Sequence, residues 1–129
     1  MTEADLYRKI IALFPAPSHA LRVENMIGSG IPDLNICHMG CEAWVECKLT
    51  LNRETILRKE QYAWGMRRGT AGGNVWVFSL DGLRMHCWSF PNIQVKPWHK
   101  DAKYVSITNN SMVSIDDLIH VKKILFPGF

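Results

Sequence analysis

Apolar residues recur at helical spacing near the start of the chain and at strand spacing through its middle. Leu6, Ile10 and Leu13 share one face, with Tyr7, Ile11 and Phe14 beside them, which predicts a helix over residues 3–14. Pro15 and Pro17 end it. Leu21–Glu24 alternates weakly and predicts a short strand, and Gly28, Ser29 and Gly30 form a turn. Pro32–Cys37 and Cys41–Leu49 then read as two strands joined tightly through Met39 and Gly40. Thr50–Arg68 reads as one helix, with Asn52 as its N-cap and Gly69 just past its end, followed by a loop from Gly69 to Asn74. Val75–Leu80 is β-rich throughout and predicts a strand buried on both faces. Asp81-Gly82 signals a hairpin to a partner strand over Arg84–Phe90. Pro91–Lys103 is irregular, Tyr104–Ile107 is a short strand, and Ser114 with Asp117 caps a last helix reaching about Ile124. Helix, strands, helix and strands in this order predict a mixed α/β domain with one central sheet.

Composition narrows the class. With 129 residues, 47% of them hydrophobic, the chain suits a single domain over 1–129, with a core at about 3–90 and a variable extension at 91–129. The formal charge of +3 is a mild basic bias. Its arrangement says more: Arg53, Arg58, Lys59, Arg67 and Arg68 fall in one segment, and Lys96, His99, Lys100 and Lys103 in another. Each run suits either a solvated face or a phosphate-binding surface. No apolar run is long enough to span a membrane, and Met1–Lys9 has no apolar signal core, which points to the cytosol and to reduced thiols. Cys37, Cys41, Cys47 and Cys87 form no paired knuckle, so they read as buried strand thiols ahead of a zinc site. The five histidines are scattered and have no partners at ligand spacing. Trp76 is expected in the core. Trp44, Trp64, Trp88 and Trp98 are open to packing, base stacking or an interface, with Trp98 between Lys96 and Lys100 the best placed to touch nucleic acid.

The chemistry concentrates between positions 30 and 61. Glu46 and Lys48 are two apart on a strand and therefore point to one face, as does Trp44, while Val45, Cys47 and Leu49 point to the other, the core face. If Met39-Gly40 is a two-residue turn, His38 faces Cys41, Cys37 faces Glu42, and Asp33 lands opposite Glu46. Directly paired residues have Cβ atoms roughly 5 Å apart, and two carboxylates that close repel unless a cation lies between them. Mg²⁺ suits such a place, because it takes oxygen ligands from one or two carboxylates plus water and phosphate. The backbone carbonyl of Cys47 is a further candidate ligand. Lys48, one step along the same face, is placed to orient or deprotonate a water and to offset charge developing on phosphorus.

Ser29-Gly30-Ile31-Pro32-Asp33 followed by Glu46-Cys47-Lys48 resembles the signature of the PD-(D/E)xK nuclease superfamily. The leading Ser-Gly and the later Gln61 are similar to its VRR-NUC (virus-type replication–repair nuclease) branch. The resemblance covers about residues 3–80. It implies a restriction-endonuclease-like α/β core, a mixed central sheet flanked by helices in the order αβββαβ, as in Holliday-junction resolvases. It implies dependence on Mg²⁺ or Mn²⁺, with Asp33 and Glu46 as metal ligands, Lys48 as the catalytic lysine and Gln61 as a supporting helix residue. Glu3 matches the acidic residue such nucleases carry on their first helix, though an N-terminal acid also favours the helix dipole.

These readings converge on a metal-dependent endonuclease acting on DNA, double-stranded or branched, as a homodimer that buries more surface than one small domain can. The resemblance also suggests a phage-encoded protein in a bacterial cytoplasm. A restriction-type endonuclease is a second enzyme reading, although the chain is short for a dedicated recognition region. A nucleic-acid-binding module without catalysis and a zinc-bound structural protein are the readings from other classes.

Overall fold

The hairpin at Met39-Gly40 sets the register of the sheet. Both residues have positive φ, 53° and 80°, the backbone a two-residue primed turn requires. Gly40 adopts it freely, whereas Met39 bears the steric cost of the left-handed region. The flanking strands, β2 (Leu34–His38) and β3 (Cys41–Leu49), pair antiparallel with His38 opposite Cys41, Cys37 opposite Glu42 and Leu34 opposite Val45. This is the register expected from the sequence. The structure is a computed structural model and describes residues 1–24, 29–96 and 101–128.

Around this hairpin the described residues form a mixed sheet of six strands in the order β1 (His19–Arg22), β2, β3, β5 (Val75–Asp81), β6 (Arg84–Ser89) and β8 (Val113–Ile115). β1 is His19–Arg22, two residues earlier than the alternation indicated. β5 (Val75–Asp81) lies parallel to β3, and β6 (Arg84–Ser89) returns antiparallel through the Gly82 turn. A parallel neighbour needs a long crossover, and residues 50–74 supply it.

That crossover corrects the sequence reading most. Instead of one helix over Thr50–Arg68, it contains a turn, the strand β4 (Thr55–Arg58) and then helix α2 (Lys59–Thr70). Asn52 and Arg53 have positive φ, 50° and 63°, so Asn52 is a turn residue and no N-cap. Thr55 and Leu57 are buried while their neighbours are half-buried, an alternation of period two that the helical reading overlooked. β4 pairs with β7 (Tyr104–Ile107) in a separate two-stranded sheet. Gly69 lies inside α2, where it lets the helix approach Phe90: a Cβ at Gly65 would stand 2.4 Å from the Phe90 ring, and one at Gly69 2.7 Å from Phe90.

Helix α1 (Glu3–Ala12) is capped by Thr2, which accepts from the Asp5 amide while Asp5 accepts in return. It lays Leu6 and Ile10 on one face of the sheet with Leu34, Ile36, Val45, Cys47 and Phe78. The opposite face is covered by α2, β4 and β7 around Leu57, Val75, Val77, Trp88 and Phe90. β5 is thus buried on both faces, as its composition indicated. Trp76 is half-buried against the first core, and Trp88 is fully inside the second.

The end of the chain joins the fold. Val113–Ile115 adds strand β8 to the edge of the sheet, and Val121, Leu125 and Phe126 enter the first core from α3 (Val121–Leu125) and the residue after it. Asp117 alone caps the preceding 3₁₀ turn, accepting from the Ile119 amide, while Ser114 bonds His86 instead. The cysteines divide: Cys47 and Cys87 are buried, Cys37 is half-buried, and Cys41 is exposed, contrary to a uniform set of buried thiols. Trp98, His99 and Lys100 lie outside the described residues, and Lys96 forms an ion pair with Glu54 at 2.9 Å.

The Gly65–Phe90 contact is testable. Alanine in a helix interior normally gains about 1 kcal/mol over glycine, but here its methyl would overlap an aromatic ring. Gly65→Ala is expected to lower stability by about 1–3 kcal/mol in urea unfolding. A gain in stability would show that α2 does not pack this closely on Phe90.

Candidate functional site

Strand periodicity sends Trp44, Glu46 and Lys48 to the α2 face of β3, and Val45 and Cys47 to the α1 face. The sequence reading placed the charged face opposite the core. In the structure both faces are covered, so Glu46 is only 5% exposed.

Three further elements converge on it. The antiparallel ladder ends at Leu34–Val45, and Asp33, the next residue, turns its Oδ2 to accept from the backbone N–H of Cys47 at 3.0 Å. Asp33 therefore stands beside Glu46 and is tied to β3. From α2, the Gln61 side chain spans the gap: Oε1 accepts from the Arg58 amide at 2.9 Å and Nε2 donates to Glu46 Oε1 at 2.6 Å. This is half of a capping box, since the arginine at the N-cap has no acceptor with which to reciprocate. Lys48 Nζ lies 3.8 Å from the same Glu46 Oε1. Glu3, at the start of α1, is exposed but near enough for the charges of Lys48 and Asp33 to act on it.

Gly30 makes this convergence possible. Its φ is +73°, and a Cβ there would stand 2.2 Å from the Glu60 carbonyl oxygen and 3.0 Å from the Gln61 nitrogen. The loop leading to Asp33 thus rests directly on the first turn of α2, the turn that carries Gln61. Ser-Gly before Pro-Asp therefore has a physical reason at its glycine: close approach together with a left-handed backbone.

The electrostatics are unfavourable for the protein alone. Burial pushes the Glu46 carboxyl up to about 8, and the Asp33 charge adds to the rise, while Lys48 and the Asp33 amide pull the other way. Glu3 is raised as well, chiefly by loss of solvent and further by Asp33, against the pull of Lys48. Gln61 donates to Oε1 and Lys48 Nζ lies 3.8 Å from that same oxygen, whereas Oε2 is buried with no hydrogen-bond partner. A buried, unpartnered carboxylate oxygen beside a second carboxylate fits a cation. Among the described residues no three His, Cys, Asp or Glu side chains gather into a closed cage. The set suits a hard ion that keeps several waters better than one that needs a full protein shell. The Cys47 thiol is held well above its ordinary pKa, first by burial and then by the Asp33 and Glu46 charges, so it stays protonated in the α1 core and offers no thiolate. Only its backbone carbonyl remains a candidate ligand.

Asp33, Glu46, Lys48 and Gln61 are thus brought together, with Glu3 at the rim. The basic run is dispersed: Arg53 is in the turn, Arg58 at the end of β4, and Arg67 and Arg68 near the end of α2. One neighbour escaped the sequence reading. Asn35, two residues beyond Asp33 and paired with Trp44, has a buried Nδ2 without a partner. Its signal was the period of two from Asp33.

No family model matches the chain, and no curated protein matches it. Among solved structures it is similar to Hjc of Archaeoglobus fulgidus, a Holliday junction resolvase from an archaeal hyperthermophile. The TM-score is 0.57 over 92% of this chain and 97% of that one, at 13% identity. The likeness is one of fold: a mixed sheet flanked by helices, of the resolvase and restriction-endonuclease-like class. A fourth strand, β4, precedes the second helix where the order αβββαβ was expected.

The Glu46 shift has a signed consequence. A carboxyl with a raised folded-state pKa contributes stability that is full below its unfolded value near 4.5 and is lost as pH rises through about 8. In EDTA, thermal stability is expected to fall between pH 5 and 8. Glu46→Gln keeps an oxygen for Gln61 and should flatten that slope, with a gain on the order of a few kcal/mol at pH 8. Parallel pH profiles for the two proteins would contradict the burial of an unpaired carboxyl.

Proposed function

We infer that the chain is a divalent-metal-dependent endonuclease that hydrolyses DNA phosphodiesters, with branched or junction DNA as its preferred substrate. The observation that supports this best is the bare Glu46 Oε2 beside Asp33, on a strand that carries Lys48 two residues further on. Asp33 and Glu46 would hold Mg²⁺ or Mn²⁺, with the Cys47 carbonyl and Glu3 as further candidate ligands. When bound, such an ion polarises the scissile phosphate and acidifies a coordinated water.

The protein's own groups supply the rest. Gln61 donates to Glu46 Oε1 and so orients the carboxyl, leaving Oε2 as the oxygen that a cation would take. The Cys47 amide fixes Asp33 in the same way. Lys48, with 17% of its side chain exposed, is close enough to solvent to hold an attacking water and a phosphate oxygen, and its charge offsets the negative charge that develops. Placement in the VRR-NUC branch rests on Ser29-Gly30 and Gln61. A homodimer would set two such sites against two strands, and the likeness of fold to a Holliday junction resolvase is what supports the reading of branched DNA.

The assay is direct. Supercoiled plasmid, linear duplex and a four-way junction are incubated with EDTA, Mg²⁺ or Mn²⁺, beside Lys48→Ala. Metal-dependent cutting is expected, greatest on the junction, and reduced at least about a hundredfold in the variant. Cutting by Lys48→Ala at the native rate would remove the lysine from the mechanism. No cutting of any substrate would leave a nucleic-acid-binding module on a nuclease fold.

A further inference from the structure

Beyond Glu46 along the same face of β3 lies a second constellation that the hydrolytic chemistry does not use. Trp44 meets Trp64 of α2 with ring centroids 5.4 Å apart and planes at 61°. The Arg68 guanidinium sits over both rings, 5.5 Å from the Trp44 centroid and 5.4 Å from that of Trp64. Both indoles are half-buried, and Arg67 and Arg68 are exposed. An open cleft of about 470 Å³ is lined by Trp64, Arg67, Arg68 and Ala71.

Its position is fixed by the site. Gln61, Trp64 and Arg68 follow one another at i, i+3 and i+7 and so share a stripe of α2. Gln61 meets Glu46, and Trp64 meets Trp44, two residues back along β3. Along the helix axis, the cleft therefore begins roughly 5 Å from Gln61, at Trp64, and ends about 15 Å from it, at Ala71. Cations near a helix C-terminus offset its dipole, but the dipole gives no reason for a tryptophan pair beneath them. A guanidinium stacked on indoles keeps its N–H edge free for a phosphate.

We propose that this cleft binds an unpaired nucleotide of the substrate, with the base stacked on Trp64 and its phosphate on Arg67 and Arg68. Indole faces receive any base, and a base must leave its stack to reach one. The cleft thereby favours DNA with unpaired or unstacked residues near the cut over continuous duplex. This rests on the nuclease reading for its biological meaning, while the binding itself needs no cutting.

The test measures binding in EDTA, where no hydrolysis interferes, by fluorescence anisotropy and tryptophan quenching. A single-stranded oligonucleotide and a duplex carrying an unpaired flap are compared with the fully paired duplex. The native protein is expected to bind the unpaired substrates more tightly, with quenching. Trp64→Leu should cut that preference at least about fivefold while leaving duplex binding unchanged. Arg67→Glu, at an exposed position where folding is not at stake, should weaken single-strand binding, and Arg67→Ala should lower the salt dependence by about 0.7 in log–log slope. Equal binding of paired and unpaired DNA by the native protein, or undiminished preference in Arg67→Glu, would overturn the proposal. So would a loss of self-association in Arg67→Glu by sedimentation with DNA binding intact, which would make the cleft an interface between copies of this chain. Unpaired-DNA binding without metal-dependent cutting of any substrate would defeat the nuclease reading and leave the cleft standing.

Discussion

A carboxylate taken out of water beside another carboxylate is the constraint around which this structure is arranged. Glu46 lies under α2 with Oε1 accepting from Gln61 near the Lys48 ammonium and Oε2 with no partner, and Asp33 is pinned next to it by a backbone amide. Left alone, such a pair costs stability, because burial and then the neighbouring Asp33 charge raise the free energy of ionising Glu46 in a medium that screens poorly. Folds keep arrangements of this kind where something outside the polypeptide supplies the missing charge.

The scaffold is built to keep that pair from relaxing. Asp33 sits at the mouth of a hairpin whose register is fixed by the turn at Met39-Gly40. Gln61 cannot withdraw, because the first turn of α2 is held from one side by the Gly30 loop, while further along Gly65 and Gly69 let the helix settle onto Phe90. Three glycines, all at points of close approach, thus set the distance between α2 and the sheet. The same closeness brings Trp64 against Trp44. Packing on one face of the sheet and geometry at the carboxylates are therefore one problem with one solution.

Where local chemistry decided structure, the sequence was readable. Alternation on β3 placed Glu46 and Lys48 on one face, and counting back from the turn brought Asp33 to Glu46. Where tertiary contacts decided, it was not. Residues 50–58 carry enough helix formers to extend α2 backwards, yet Thr55 and Leu57 are drawn into β4 by pairing with β7, a partner about fifty residues away. Gly69 read as a helix end because its true reason, the Phe90 ring, lies on another element. Ser114 read as a cap because its partner His86 is on the neighbouring strand. The burial of Glu46 itself was hidden for the same reason: a charged residue on an alternating strand looks solvent-facing until a second layer covers it.

Proton release on metal binding probes the central pair most directly. Mn²⁺ is titrated into the metal-free protein by calorimetry at pH 7 in buffers of different ionisation enthalpy. With the Glu46 carboxyl at about 8, the ion must displace its proton. Close to one proton released per Mn²⁺ bound, falling away in Glu46→Gln together with the binding, is the expected result. Binding with no proton release, or undiminished in Glu46→Gln, would contradict the assignment of this carboxylate pair as the place the fold reserves for a cation.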